Sequence, residues 1–353
     1  MKKYRPCGMV LFSRTHFLSG KAYNPMKDML RIAFCLVLLS VAPTVLGQPK
    51  HASIISWQKI QVKTSYSQLK GLPRWYYDST YYERFRQDEQ IESFRILYKS
   101  DTAQVEGFLV KPKAVKARHP VIVYNRGGTG NYGKITEVWL PDFYDFVKQG
   151  FVVLLSNTRF TGQYGLYDQL GGVDLNDVEL LIDITRSLPY CDPNNYFMLG
   201  LSRGGQMTYQ LLKRHKYPIN AAAVIAGPAN LVQGMRDRPE FLNGWNDDTT
   251  GRYLNYKGLK NILPNFAQNK EQYLQDRSAV YWAKQINTPL LLLHSRQDGF
   301  VNVSSTLELA ARLQQYKKQY QLIIYNEKSH SLPVRYFLQR NQQIIQWFKK
   351  FTK

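Results

Sequence analysis

The chain has 353 residues, 44% of them apolar, which suits one large domain or one domain with a small addition. With aromatics at 14% and charges of both signs interspersed, the composition excludes disorder over most of the length. A formal net charge of +21 would suit an anionic partner, but the Lys and Arg are scattered and no zinc-finger spacing or RNA-binding signature is present, so no nucleic-acid role is expected.

In chain order, the first feature is a short apolar run over residues 32–42, preceded by Lys27 and Arg31 and followed by Val45-Leu46-Gly47. A basic start, a short apolar core and small residues near its end predict a secretory signal peptide, with residues 1–47 removed and the mature chain secreted or periplasmic. The run is short for a membrane span and Pro43 interrupts it, so no stable membrane anchor is expected. Residues 1–25 do not resemble part of a signal, and a start at Met26 or Met29 would give an ordinary n-region. Loss of this leader removes seven of 47 basic and one of 26 acidic residues, leaving +15. It also removes Cys7 and Cys35, so Cys191 stays as a lone thiol, expected to be a buried spacer.

Residues 48–93 are polar and aromatic, with Arg74-Trp75-Tyr76-Tyr77 and Tyr81-Tyr82, and are expected to form a small N-terminal extension. From there strand-like and helix-like segments alternate. Strands are predicted over residues 94–98, 105–110, 121–124, 151–155, 196–199, 221–225, 289–293 and 321–325. Helices are predicted over 141–148, 174–188, 203–215, 306–316 and 337–348. Strands apolar on both faces and alternating with helices predict an α/β fold, a mainly parallel sheet with helices on both faces. Residues 227–280 break this rhythm with Pro, Gly, Asn and Asp clusters, and are expected to be a lid or pocket-wall insertion.

The segment Gly200-Leu201-Ser202-Arg203-Gly204-Gly205 fits G-x-S-x-G and lies between a predicted strand and a predicted helix. A serine on such a sharp turn is presented at the carboxyl edge of the sheet, so Ser202 is the candidate nucleophile. It needs a base. His330 follows the last predicted strand and is the candidate. His294 follows an interior strand and is expected to be structural or pocket-lining, His215 ends a helix among basic residues, His119 precedes Pro120 in a turn, and His51 is near the new N-terminus. Asp298, in the loop after the penultimate strand, is the candidate acid. The order Ser202, Asp298, His330 is that of the α/β-hydrolase fold. Glu327 is a rival acid that stands very near His330 in sequence. Oxyanion donors are expected from the backbone N–H of Arg203 and from Gly127 or Gly128, in the loop after residues 121–124.

These pieces, with Gly171-Gly172-Val173-Asp174-Leu175-Asn176-Asp177-Val178, Asp192-Pro193 and the run from Thr288 to His294, resemble the catalytic domain of the prolyl oligopeptidase family of serine peptidases from about residue 94 to the C-terminus. The resemblance implies an α/β-hydrolase catalytic domain over residues 94–353, an acyl-enzyme on Ser202, a small peptide or acyl-ester substrate and no metal or cofactor. The chain departs from the family in having Arg203 where Tyr is common and Asn125-Arg126-Gly127-Gly128 where His-Gly-Gly is common. Residues 48–93 are also too few for a β-propeller gate. Arg126 and Arg203 are expected at the surface, ahead of any role in binding a substrate carboxylate. Peptidase and carboxylesterase remain open. A non-catalytic binding protein on the same fold is the alternative from another class, set against a triad whose three positions are all filled.

Overall fold

The computed structural model describes residues 51–114, 117–245, 255–330, 332 and 334–353. The expected leader, residues 1–47, lies outside them, as do residues 246–254 of the expected insertion. Nine strands among the described residues form one sheet. They are β1 (Ile54–Ile60), β2 (Ile91–Ser100), β3 (Ala103–Pro112), β4 (His119–Asn125), β5 (Val152–Ser156), β6 (Cys191–Leu201), β7 (Ala221–Ile225), β8 (Leu290–Ser295) and β9 (Tyr320–Tyr325). Their spatial order is β1-β2-β3-β5-β4-β6-β7-β8-β9. The first three are antiparallel to their neighbours, β3 against β5 included, and the pairings from β5 through β9 are parallel. This is the mainly parallel α/β sheet that the alternation of elements predicts, with an antiparallel edge added.

The central strands are buried throughout because their residues are apolar on both faces. Their side chains alternate between two layers. Val121, Val123, Val152, Leu154 and Met198 join one core with the helices Leu175–Arg186, Arg203–Arg214 and Val303–Gln315. Ile122, Tyr124, Val153, Leu155, Phe197 and Leu199 join the other, with the helices Ser79–Gln87, Tyr144–Lys148 and Val334–Lys350. Cys191, at the start of β6, is buried, and burial pushes its thiol up to about 12. Among the described residues no helix is long and apolar enough to cross a membrane.

Three segments differ from the pattern read in the sequence. The polar stretch before residue 94 holds β1, which extends the sheet through Lys59 opposite Phe94 and Ile60 opposite Ser93. Only Trp57 of that edge strand is buried, so the period-two signal is thin. The helix expected over residues 141–148 is a 3-10 turn over Glu137–Phe143 followed by one α-turn, because Pro141 has no N–H for an α-helical bond. His119 lies in β4 itself, not in a turn, with Nδ1 2.8 Å from the Gly150 carbonyl.

The described part of 227–280 is helical: Leu231–Asp237, Glu240–Asn243, Leu259–Ile262 and Phe266–Asp276. Leu231, Met235, Leu259, Phe266 and Leu274 close a small core of their own around Leu170.

If β1 is an integral part of the sheet, removing its anchor should unsettle the whole domain. Trp57→Ala is expected to lower the unfolding free energy by roughly 3–5 kcal/mol in a urea titration. A loss under about 1 kcal/mol would show β1 to be a loosely held appendage.

Candidate active site

Ser202 follows β6 directly and precedes the helix Arg203–Arg214, at φ 54° and ψ −122°. A side chain is strained there, a conformation of the kind that costs on the order of 1–3 kcal/mol. The turn is held from both sides. The Ser202 N–H donates to the Ile225 carbonyl on β7 (2.8 Å), and the Ser202 carbonyl accepts from the Gly205 N–H (2.8 Å). Close packing explains the flanking glycines. A Cβ on Gly204 would overlap the Asn125 carbonyl, and one on Gly205 would stand 2.5 Å from Val224 and 2.8 Å from Gly227. The helix therefore runs against β4 and β7 closely enough to fix the serine at the sheet edge.

Asp298 lies beyond β8 with its side chain wholly buried, and its Oδ2 accepts from His330 Nδ1 at 2.7 Å. Its Oδ1 accepts from the N–H groups of Phe300 (2.8 Å) and Val301 (3.0 Å). His294 completes this shell. Its Nε2 stands 3.2 Å from Asp298 Oδ2 and 3.0 Å from the Val301 carbonyl, both acceptors, so Nε2 carries the proton and the Thr306 hydroxyl donates to Nδ1 at 2.7 Å. Burial alone would push the Asp298 carboxyl up. The hydrogen bonds from His294 and His330 outweigh it and hold the group well below the usual aspartate range.

His330 lines the cavity that Ser202 also lines. Among the described residues no hydrogen bond joins Ser202 to His330, a separation common before substrate binds. The His330 loop is tied to the Asp298 loop by Ser295 Oγ donating to the Ser329 carbonyl (2.5 Å) and by the Gln297 N–H donating to the Glu327 carbonyl (2.9 Å). Asp298, and not the rival Glu327, is the acid that meets Nδ1.

Of the two candidate loop glycines, Gly127 stands beside the nucleophile: a Cβ there would lie 3.4 Å from Ser202 Cβ. Gly128, at φ 78°, turns the loop, and a Cβ there would run into the Tyr132 carbonyl. The arginines are not at the surface. Arg126 and Arg203 are both buried. Arg203 Nη2 pairs with Asp168 Oδ1 and Asp174 Oδ2, each at 2.6 Å, and these carboxylates outweigh burial in raising its guanidinium above the ordinary arginine value. The Arg203 side chain is thus committed to carboxylates that lie 35 and 29 residues earlier in the chain, with no local spacing to mark them. Arg126 spends its guanidinium on backbone carbonyls. His294 was expected as a structural or pocket-lining residue; its direct bond to Asp298 could have been suspected from their i, i+4 spacing in one loop.

The site opens into a cavity of about 1300 Å³. Ser202, Gly127, Gly128 and His330 lie on its wall, with Tyr124, Phe143 and Trp139 on one side and Leu231, Met235 and Phe241 from the insertion on another. Trp75, 85% exposed, stands on its rim.

Residues 141–353 match the model of the prolyl oligopeptidase family. The chain belongs to the prolyl oligopeptidase family. It carries that family's serine-hydrolase catalytic fold, as the sequence resemblance implied. The uncharacterized peptidase YuxL of Bacillus subtilis is 25% identical over 265 residues, covering 70% of this chain and 37% of that protein. The uncharacterized peptidase YtmA of the same organism is 21% identical, covering 74% of this chain and 95% of that one. The acylaminoacyl peptidase of Pyrococcus horikoshii superposes with a TM-score of 0.61 at 21% identity, over 76% of this chain and 43% of its own. The chain thus spans less than half the length of the first and third of these.

The depressed Asp298 pKa sets a pH dependence. Its ionised form is favoured by folding, so the stability it contributes is fully present above the unfolded aspartate value of about 3.9 and is lost as pH falls through that value toward the lower folded one. Urea unfolding between pH 7 and pH 3 is expected to show a steeper acid loss for wild type than for Asp298→Asn. Parallel curves would mean that Asp298 is not held as a buried, bonded anion.

Proposed function

We propose that the chain hydrolyses acyl bonds of small peptides or esters through an acyl-enzyme on Ser202. The observation that carries this is the 2.7 Å contact of buried Asp298 with His330 Nδ1, on a histidine that shares the cavity wall with the strained Ser202 turn. Asp298 fixes the imidazole so that Nε2 is free to take a proton. His330 removes the hydroxyl proton as Ser202 Oγ attacks the acyl carbonyl carbon. The oxyanion is met by the backbone N–H of Arg203 and by the loop at Gly127. When the intermediate collapses, the proton passes from His330 to the departing nitrogen or oxygen. Water then repeats the sequence, with Ser202 as leaving group, and releases the acid.

Peptide bonds are the first choice of substrate because relatives of the chain bear peptidase names, one of them an acylaminoacyl peptidase. The apolar, aromatic cavity wall also suits a carboxylesterase, the second reading. A fluorophosphonate probe is expected to label wild type and not Ser202→Ala, and Asp298→Asn is expected to lower kcat by roughly 10³–10⁴. Wild type that labels no faster than Ser202→Ala would sink the acyl-enzyme. Turnover of aminoacyl and prolyl anilides beside p-nitrophenyl esters separates the readings: ester turnover alone makes it an esterase, and no turnover of either supports a binding role.

Export belongs to the same proposal, supported by the basic flank and short apolar run before Gln48. N-terminal sequencing of the cell-free or periplasmic protein is expected to begin at Gln48. Retention of intact protein inside the cell would refute export.

A further inference from the structure

Resting on the acyl-enzyme chemistry above, we propose that Arg126, Asp168 and Arg203 are positioning residues that lock the two halves of the oxyanion hole to one another. The two donors come from opposite places. One is the amide of Arg203, on the turn after β6. The other belongs to the loop after β4. The two strands pair in parallel only as far as Asn125 opposite Gly200, so the loop beyond them must be held by its own bonds if both donors are to aim at one oxygen.

The loop is wrapped around the Arg126 side chain, which is 1% exposed. Nε donates to the Asn157 carbonyl (3.1 Å). Nη1 serves the carbonyls of Gly127 (3.1 Å), Gly128 (3.2 Å) and Tyr132 (2.9 Å), and Nη2 serves that of Gly130 (2.6 Å). Every nitrogen of the guanidinium is thereby engaged with backbone, which also rules it out as a clamp for a substrate carboxylate. Burial, with the nearby positive charge of Arg203, pushes the group down to about 10, so it stays a cation at neutral pH.

The loop is then tied to the nucleophile turn. The Gly130 N–H donates to Asp168 Oδ2 (3.0 Å), and Asp168 Oδ1 accepts from Arg203 Nε (3.2 Å) and Nη2 (2.6 Å). Asp174 Oδ2 holds the same Nη2 from the far side, and its Oδ1 accepts from the Gly172 N–H (2.6 Å). A continuous path runs from the Gly127 and Gly128 carbonyls through Arg126, the Gly130 peptide and Asp168 to Arg203. Among these hydrogen-bonded members two cations face two anions, and a third buried cation, Arg277, stands near Asp174 with its Nε on the Gln169 carbonyl.

Burying four charges is a poor way to gain stability, because apolar residues of like volume commonly do as well or better. What such a cluster does supply is fixed geometry, since each fork accepts only one arrangement of its partners. Arg126 in the oxyanion loop and Arg203 after the nucleophile, both departures from the residues common in the family, are the two ends of this one network.

The test uses the full chain with Arg126→Lys, Asp168→Asn and the double variant, each rate divided by the folded fraction read from near-UV circular dichroism. Each single variant is expected to lose roughly 10- to 100-fold in kcat, on the scale of a weakened oxyanion donor, with KM changed less than about 3-fold. The inhibition constant of a trifluoromethyl ketone, whose adduct with Ser202 carries the oxyanion, should rise in step with the kcat loss, and that of the product acid should not. The double variant should be no worse than the poorer single one, as expected for members of one chain of contacts.

Folded single variants with wild-type kcat would overturn the proposal, and so would losses that multiply in the double variant. Should Asp168→Asn not accumulate as folded protein, Arg203→Lys, which keeps the amide and the charge but not the fork, gives the same readout. Failure of the acyl-enzyme reading is separately visible, since wild type itself would then not react with the ketone or with a fluorophosphonate.

Discussion

Ser202 occupies a backbone conformation that a residue with a side chain avoids, and the middle of the molecule is organised around keeping it there. The amide is held by Ile225 on β7 and the carbonyl by the next helical turn, while the helix behind it presses on β4 and β7 through positions with no Cβ. A turn this tight is stable only if the strands on both sides are immovable. That is why the parallel centre of the sheet, with β5, β7 and β8 buried on every residue, matters to the chemistry at its edge.

The charged groups around the turn fall into two designs. Asp298 is a single buried carboxylate surrounded by donors: two backbone N–H groups and two imidazoles. It stays an anion because every lone pair has a partner. Arg126 is the mirror case, a single buried cation surrounded by carbonyls. Each would be prohibitively unfavourable in an apolar core. Here each lets a loop without regular structure hold one shape, the first around His330 and the second around Gly127 and Gly128.

Legibility of the sequence followed burial. The strands from β4 to β9 announce themselves as short apolar runs, and the G-x-S-x-G turn stands between one of them and a helix. So Ser202, Asp298 and His330 could be singled out in order along the chain, and the fold brings Asp298 to His330 and places His330 and Ser202 on one cavity wall. Strand β1 was missed because an edge strand needs only one buried residue, Trp57, and one residue makes no period. Pro141 turned an expected helix into a 3-10 turn, a local effect that hydrophobic spacing does not register. Arg126 and Arg203 were assigned to the surface because arginines usually are found there. Their partners are remote carboxylates and backbone carbonyls, and neither kind has a sequence pattern.

Cys191 carries a consequence for how the molecule can be watched. Its sulfur is shut inside the domain at the start of β6, and its proton is held far more tightly than in a free thiol. Among the described residues it is the only cysteine. A disulfide reagent in solution can meet that sulfur only when the strand itself opens. The rate of capture at Cys191 is therefore a clock for sub-global opening of the sheet centre, ticking without any added label and without touching the serine chemistry on the far end of the same strand.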